Sequence, residues 1–146
     1  MSSQPISIGI VGLGQFGTHF VELFQKHPLV KRVGLCDIAP DKLARAARRF
    51  GVGETYASLD EICRSDLDAL VIITQPWLHA PQAIQAMEAG KHVYNEKPLA
   101  TTREDAQRLL ALARAKGLRV GGAPDTFLAG GLQTCPAMLD DGAIGR

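Results

Sequence analysis

The chain has 146 residues, enough for one domain with a real core, and its 46% hydrophobic and 21% charged residues are those of a soluble globular protein. A net charge of +1 gives no electrostatic case for nucleic acid or an anionic membrane surface as partner. No apolar stretch could span a bilayer, the start MSSQPIS lacks the features of a secretory signal, and Cys36, Cys63 and Cys135 show neither disulfide-framework nor metal-ligand spacing, which fits reduced thiols in a cytoplasmic protein and no metal site.

Strand and helix patterns alternate along the chain. The apolar run from Ile6 to Val11 predicts a buried strand, and it ends in the loop Gly12-Leu13-Gly14-Gln15-Phe16-Gly17. A helical pattern over 15–26 follows, closed by Pro28. A second strand over 32–37 ends on Asp37, and the next helix, 41–50, carries Arg45, Arg48 and Arg49 at the spacing of a solvated face. A weak strand near 54–57 precedes a short helix over 59–65, opened by Ser58-Leu59-Asp60-Glu61 in the pattern of a capping box. Strands over 69–73, 92–95 and 118–121 then alternate with helices over 79–89, 103–116 and 128–141. Thr101-Thr102-Arg103-Glu104 resembles a second capping box, and Gly51, Gly90, Gly117 and Gly142 each sit just past a helix, as C-cap glycines do. Apolar strands without alternation, separated by helices, predict an α/β fold: a doubly wound parallel sheet covered on both faces. Functional residues of such a sheet fall just beyond the carboxyl ends of its strands.

The loop at 12–17 has the spacing of a dinucleotide site. Gly12 permits the tight turn out of the strand. Gly14 lets a pyrophosphate approach the backbone, and Gly17 lets the helix pack closely on the strand. Gln15 and Phe16 complete the turn, where free N–H groups and the helix dipole favour phosphate. Asp37 follows twenty residues after Gly17. Its carboxylate can accept both hydroxyls of the adenosine ribose and would repel a 2′-phosphate. Neither Ile38 nor Ala39 supplies an arginine, so NAD is favoured over NADP, although Lys42 lies only a turn away. Taken alone, Asp37 also suits a helix cap or turn.

Two more strand ends carry polar residues. The run Val71-Ile72-Ile73 ends in Thr74-Gln75-Pro76-Trp77-Leu78-His79. Thr74 offers a hydroxyl and Pro76 stops the strand. In isolation His79 reads as a packing or capping histidine, and Trp77 as a partly buried anchor. The run His92-Val93-Tyr94-Asn95 ends in Glu96-Lys97-Pro98. That pair is either a solvent-exposed ion pair, worth about 0–1 kcal/mol, or a lysine aimed at a reacting centre. The residues by themselves leave both open.

Residues 89–100, AGKHVYNEKPLA, resemble the Glu-Lys-Pro signature of the Gfo/Idh/MocA oxidoreductases, the family of glucose–fructose oxidoreductase and inositol dehydrogenase. The glycine loop, the Thr74 to His79 loop, the stretch AMEAGKHV and the segment APDTFLAGGLQT at 123–134 fit the same family in order. One departure is visible: Gln75-Pro76 stands where many relatives carry Pro-Asn. The resemblance implies a Rossmann-type NAD(P)-binding domain and hydride transfer to or from a sugar, cyclitol or related hydroxy compound. It implies cofactor contacts from Gly12, Gly14, Gln15, Phe16 and Gly17, from Asp37 and Ile38, from Thr74, Gln75, Pro76 and His79, and from Glu96, which would bind the nicotinamide ribose. Lys97 would be the catalytic residue, holding a hydroxyl near the nicotinamide and helping it lose its proton. A cis Lys97–Pro98 peptide is a further implication.

Family members continue into a second α/β domain that supplies the substrate pocket and usually a catalytic histidine. The expected organisation is a dinucleotide-binding domain over 1–123 and a boundary helix over 124–146 leading toward a domain this sequence lacks. These residues alone are therefore not expected to turn over substrate. Leu128, Leu132, Cys135 and Leu139 form an apolar stripe on that helix, a surface for self-association. An alternative function is a non-catalytic, NAD-responsive regulatory module.

Overall fold

The computed structural model describes residues 4–123 and 130–143. Six strands, β1 (Ile6–Val11), β2 (Val30–Cys36), β3 (Thr55–Tyr56), β4 (Ala69–Ile72), β5 (His92–Asn95) and β6 (Val120–Gly122), form one parallel sheet in the order β3-β2-β1-β4-β5-β6. The helices are α1 (Gly17–Lys26), α2 (Pro40–Phe50), α3 (Leu59–Cys63), α4 (Pro76–Glu88), α5 (Arg103–Lys116) and α6 (Gly130–Asp140). This is the doubly wound sheet that the alternation predicts.

Alternating side chains of the strands feed two separate cores, which is why the central stretches of β1, β2 and β4 are apolar without alternation. On one face Ile8, Ile10, Val33 and Leu35 pack with Val21 and Phe24 of α1 and with Leu43, Ala46 and Phe50 of α2. On the other, Val11, Cys36, Leu70, Ile72 and Val93 pack with Ile62 of α3, Ala83 and Met87 of α4, and Leu109 and Ala113 of α5. Ile10, Leu35, Leu70 and Ile72 are wholly buried. Each such aliphatic side chain contributes about 1.5–3 kcal/mol relative to exposure.

The local signals hold, with boundaries moved by one to three residues: α1 starts at Gly17 and β6 at Val120. Ser58 caps α3, its Oγ accepting the Glu61 N–H at 3.2 Å. α5 is capped by Thr102, whose Oγ1 accepts the Asp105 N–H at 3.1 Å and donates to Asp105 Oδ2 at 2.8 Å, so the box lies one residue later than expected. Gly51 and Gly117 close α2 and α5 in the left-handed conformation. α4 begins at Pro76 and not at His79, because proline fits the first helical turn, where its missing N–H costs nothing. On α6, Leu132, Cys135 and Leu139 are exposed, while Leu128 and the start of the expected helix lie outside the described residues. Among the described residues no helix is long and apolar enough to cross a membrane.

At the amino ends of the strands, Asp68 Oδ2 accepts both the Ser7 N–H and the Ser7 hydroxyl, each at 2.7 Å. These bonds join the start of β1 to the start of β4. They hold the Asp68 carboxyl below its ordinary value, with Lys31 at 3.6 Å adding a weaker pull. A depressed carboxyl contributes stability that is fully present above its unfolded value of about 3.9 and is lost as pH falls through the lower folded value. Asp68→Asn should therefore melt below the wild type at neutral pH. The gap should close below about pH 4, which thermal melts across that range will measure.

Candidate functional site

Strand order reverses between β1 and β4, and loops leaving adjacent strands diverge there to leave a crevice. A cleft of about 340 Å³ occupies that position, lined by Gly12, Gly14, Asp37, Ile38, Thr74 and Gln75. Lys42 and Gln82 also reach it.

The three glycines of the loop have separate reasons to be glycine. Gly12 has φ +97°, and a Cβ there would stand 2.5 Å from the Ile73 carbonyl oxygen. A Cβ on Gly17 would overlap the Gly12 carbonyl oxygen. Both are fixed by the fold. A Cβ on Gly14 would meet nothing within 4 Å. The fold leaves that position open on the cleft side, where a side chain would enter the space above the loop. Among the described residues, the N–H groups of Gly14, Gln15 and Phe16 have no internal partner. They precede α1, whose dipole adds partial positive charge. Phe16 packs edge-on against Phe20 at 5.4 Å between ring centroids and stays largely exposed. The Gln15 carbonyl accepts from the Thr18 hydroxyl at 2.9 Å.

Asp37 is the first residue beyond β2 and does two jobs. Its Oδ2 accepts the Leu13 N–H and its Oδ1 accepts the Ala39 N–H, both at 2.8 Å. The carboxylate thus fastens the glycine loop to the end of β2 and begins the turn into α2. Each oxygen keeps a lone pair for a further donor in the cleft. Ile38 beside it is 85% exposed, an apolar rim of the cleft. Cys36 is different: burial, reinforced by the Asp37 charge, pushes its thiol up to about 12. It packs as a neutral group.

Beyond β4, the Thr74 hydroxyl donates to Gln82 Oε1 at 2.6 Å, and Gln75 and Pro76 open α4. The sequence carries no signal for Gln82, which enters the cleft only because α4 runs past it. Trp77 is 66% exposed, so it is not the partly buried anchor expected. His79 is 1% exposed. Its Nδ1 lies 2.7 Å from the Pro98 carbonyl oxygen and its Nε2 3.1 Å from that of Thr74. Both ring nitrogens are thus engaged by backbone, and the side chain does not line the cleft.

Beyond β5, the Lys97–Pro98 peptide is cis. Glu96 Oε2 accepts the Lys97 N–H at 2.6 Å and folds back on its own turn. Among the described residues neither Glu96 nor the Lys97 ammonium takes part in an ion pair. The surface ion-pair alternative for Glu96 and Lys97 is therefore not what the structure contains. Lys97 is exposed at the strand ends, one strand over from the cleft. Asn95, which sequence reasoning missed, is wholly buried beneath this turn.

A parallel sheet in this order, with a glycine loop after its first strand and an acid after its second, defines a Rossmann-type dinucleotide-binding domain. The family described as "Oxidoreductase family, NAD-binding Rossmann fold" matches residues 6–122, and the chain belongs to that family, Gfo/Idh/MocA. It is 33% identical over 118 residues to inositol 2-dehydrogenase 3 of Saccharopolyspora erythraea, covering 80% of this chain and 35% of that protein. The WlbA dehydrogenase of Bordetella pertussis, solved with NADH and UDP-GlcNAcA, superposes with a TM-score of 0.85 at 30% identity, over 98% of this chain and 44% of the other. A variant of KijD10, a 3-ketoreductase from Actinomadura kijaniata solved with TDP-benzene and NADP, gives 0.84 at 29% identity, over 98% and 46%. The chain thus spans less than half the length of these proteins.

The glycine geometry sets a test. Gly14→Val should melt close to the wild type, within the roughly 0.5 kcal/mol usual for surface substitutions, yet lose nucleotide affinity in calorimetric titration. Gly17→Ala should lower the melting temperature itself. Unchanged NAD affinity in Gly14→Val would reduce the loop to a turn.

Proposed function

We propose that residues 1–123 bind NAD and present Lys97 to the hydroxyl of a sugar, cyclitol or related substrate, as the cofactor half of an oxidoreductase. The observation that carries this is Gly14: a glycine with open space around it, lining the same cleft as the Asp37 carboxylate and opening a run of three N–H groups without partners among the described residues. Pyrophosphate would sit on those N–H groups, and the adenosine ribose on the remaining lone pairs of Asp37. Ile38 offers an apolar surface for the adenine. Glu96 and Lys97 would serve the nicotinamide end. When bound, the cofactor supplies the hydride acceptor or donor. Lys97 holds the substrate hydroxyl by a charge-assisted hydrogen bond and stabilises the oxygen as its proton leaves. The substrate pocket and a histidine acid/base are expected from a further domain, as in the family. Three free thiols, two of them buried, suit a cytoplasmic setting. The exposed face of α6 would serve self-association or cover by another domain.

NADP is the second reading, and one observation favours it. Lys42 lines the cleft beside Asp37 and also a groove between α1 and α2 with Arg45 and Arg49. Asp37 repels a 2′-phosphate at close range while these cations attract it. NAD should still bind more tightly, because the carboxylate is nearest the ribose. Calorimetry with both nucleotides decides: Lys42→Ala should weaken NADP and spare NAD, whereas Asp37→Ala should weaken NAD and narrow the gap. Tighter NADP binding by the wild type would reverse the preference.

Lys97→Ala should leave NAD affinity nearly unchanged. Joined to a substrate-binding domain, the same variant should lose about 10²–10⁴-fold in turnover, the usual worth of a positioned acid–base group. Near wild-type turnover would remove Lys97 from the chemistry.

A further inference from the structure

We infer that His79 is a positioning residue that, with Asn95, holds the Glu96-Lys97-Pro98 turn at a fixed distance from the glycine loop, an inference that rests on Glu96 and Lys97 serving the nicotinamide end. The Gly12 turn is packed against Ile73 and Thr74, with no room for a side chain between them. The Thr74 carbonyl oxygen is engaged by His79 Nε2, and the opposite ring nitrogen, Nδ1, engages the Pro98 carbonyl oxygen. One rigid ring therefore stands between the loop after β4 and the turn after β5, and a neutral imidazole, with one N–H, donates to one of these two carbonyl oxygens at a time while packing against the other. Asn95 braces it from below, its Nδ2 donating to the His79 carbonyl at 3.3 Å and to the Leu99 carbonyl at 3.0 Å. Asn95 Oδ1 is buried without a partner among the described residues. An unpaired buried oxygen is costly, and here it accompanies an amide turned wholly toward the backbone of α4 and of the Pro98 turn.

The consequence is mechanical. A dinucleotide would span two contact regions, its phosphates on the glycine loop and its nicotinamide ribose on Glu96. Its affinity depends on the separation of those regions, and small misplacements are costly in such sites. His79 is buried and touches neither region through solvent-facing atoms, so it acts through the two loops and not on the ligand.

The test uses this chain and two probes, NAD and ADP, since ADP needs only the glycine-loop end. Three variants separate the two ring contacts. An asparagine amide nitrogen stands where Nδ1 stands, and a glutamine amide nitrogen reaches the place of Nε2. His79→Leu, which removes the ring N–H and both polar contacts, should lose roughly tenfold in NAD affinity while ADP affinity stays within about twofold. His79→Asn should recover most of the NAD affinity through Pro98, and His79→Gln should not. If His79→Leu fails to fold, the comparison of asparagine with glutamine carries the test. NAD and ADP affinities that fall together, that both stay unchanged, or that asparagine and glutamine restore equally would overturn the positioning role. A wild type that binds neither nucleotide would instead overturn the cofactor reading of the cleft.

Discussion

β1 is paired along both edges, with β2 on one side and β4 on the other, and its side chains are buried on both faces. A strand confined in this way can present functional groups only at its end. The chain must leave the sheet there abruptly, because α1 has to return over the same strand to cover Ile8 and Ile10. The turn that satisfies this leaves no space at Gly12 and Gly17. It brings successive N–H groups to the amino end of α1 with no carbonyl of the sheet left to receive them. An anion-binding surface thus follows from the need to bury β1, before any ligand is considered.

The neighbouring strand ends are fitted to that turn. Asp37 reaches across from β2 to hold Leu13. Ile73 and Thr74, just beyond β4, fill the space against Gly12. The Pro98 turn beyond β5 is tied to Thr74 through His79. Each strand end fixes the next, so the carboxyl edge of the sheet behaves as one braced surface. The amino edge is held differently, by the Ser7–Asp68 bonds and by Arg32 with Glu54 and Asp66.

Much of this was legible in the sequence, because hydrophobic runs and glycine punctuation report local requirements. Strand and helix order, the parallel sheet, the glycine loop and Asp37 follow from patterns within a few residues of one another. The shifts at Pro76 and Thr102 are boundary effects, where one residue type suits two adjacent positions. What could not be read was pairing across the sheet. Nothing near His79 in the chain announces that its ring lies between Thr74 and Pro98. Nothing near Asn95 announces a buried amide, and nothing near Gln82 a bond to Thr74. The sequence offers Asp37 as a ligand group or a turn residue, and the turn bond to Ala39 is local, but its bond to Leu13 depends on a pairing across the sheet. Contacts between residues far apart in sequence leave no local pattern, and the supporting residues of a site are mostly of that kind.

The backbone bonds of Asp37 have a consequence for anyone wishing to redesign cofactor choice. Removing its charge to admit a 2′-phosphate also releases the Leu13 and Ala39 N–H groups. On the cofactor reading proposed above, selectivity and loop order share a single carboxylate and cannot be tuned separately by deleting it. A replacement has to remain a short acceptor for backbone N–H groups while shedding its charge, which confines the choice to serine, threonine or asparagine. The alphabet available for respecifying this domain is thus set by the hydrogen bonds of the empty protein as much as by the nucleotide it is asked to accept.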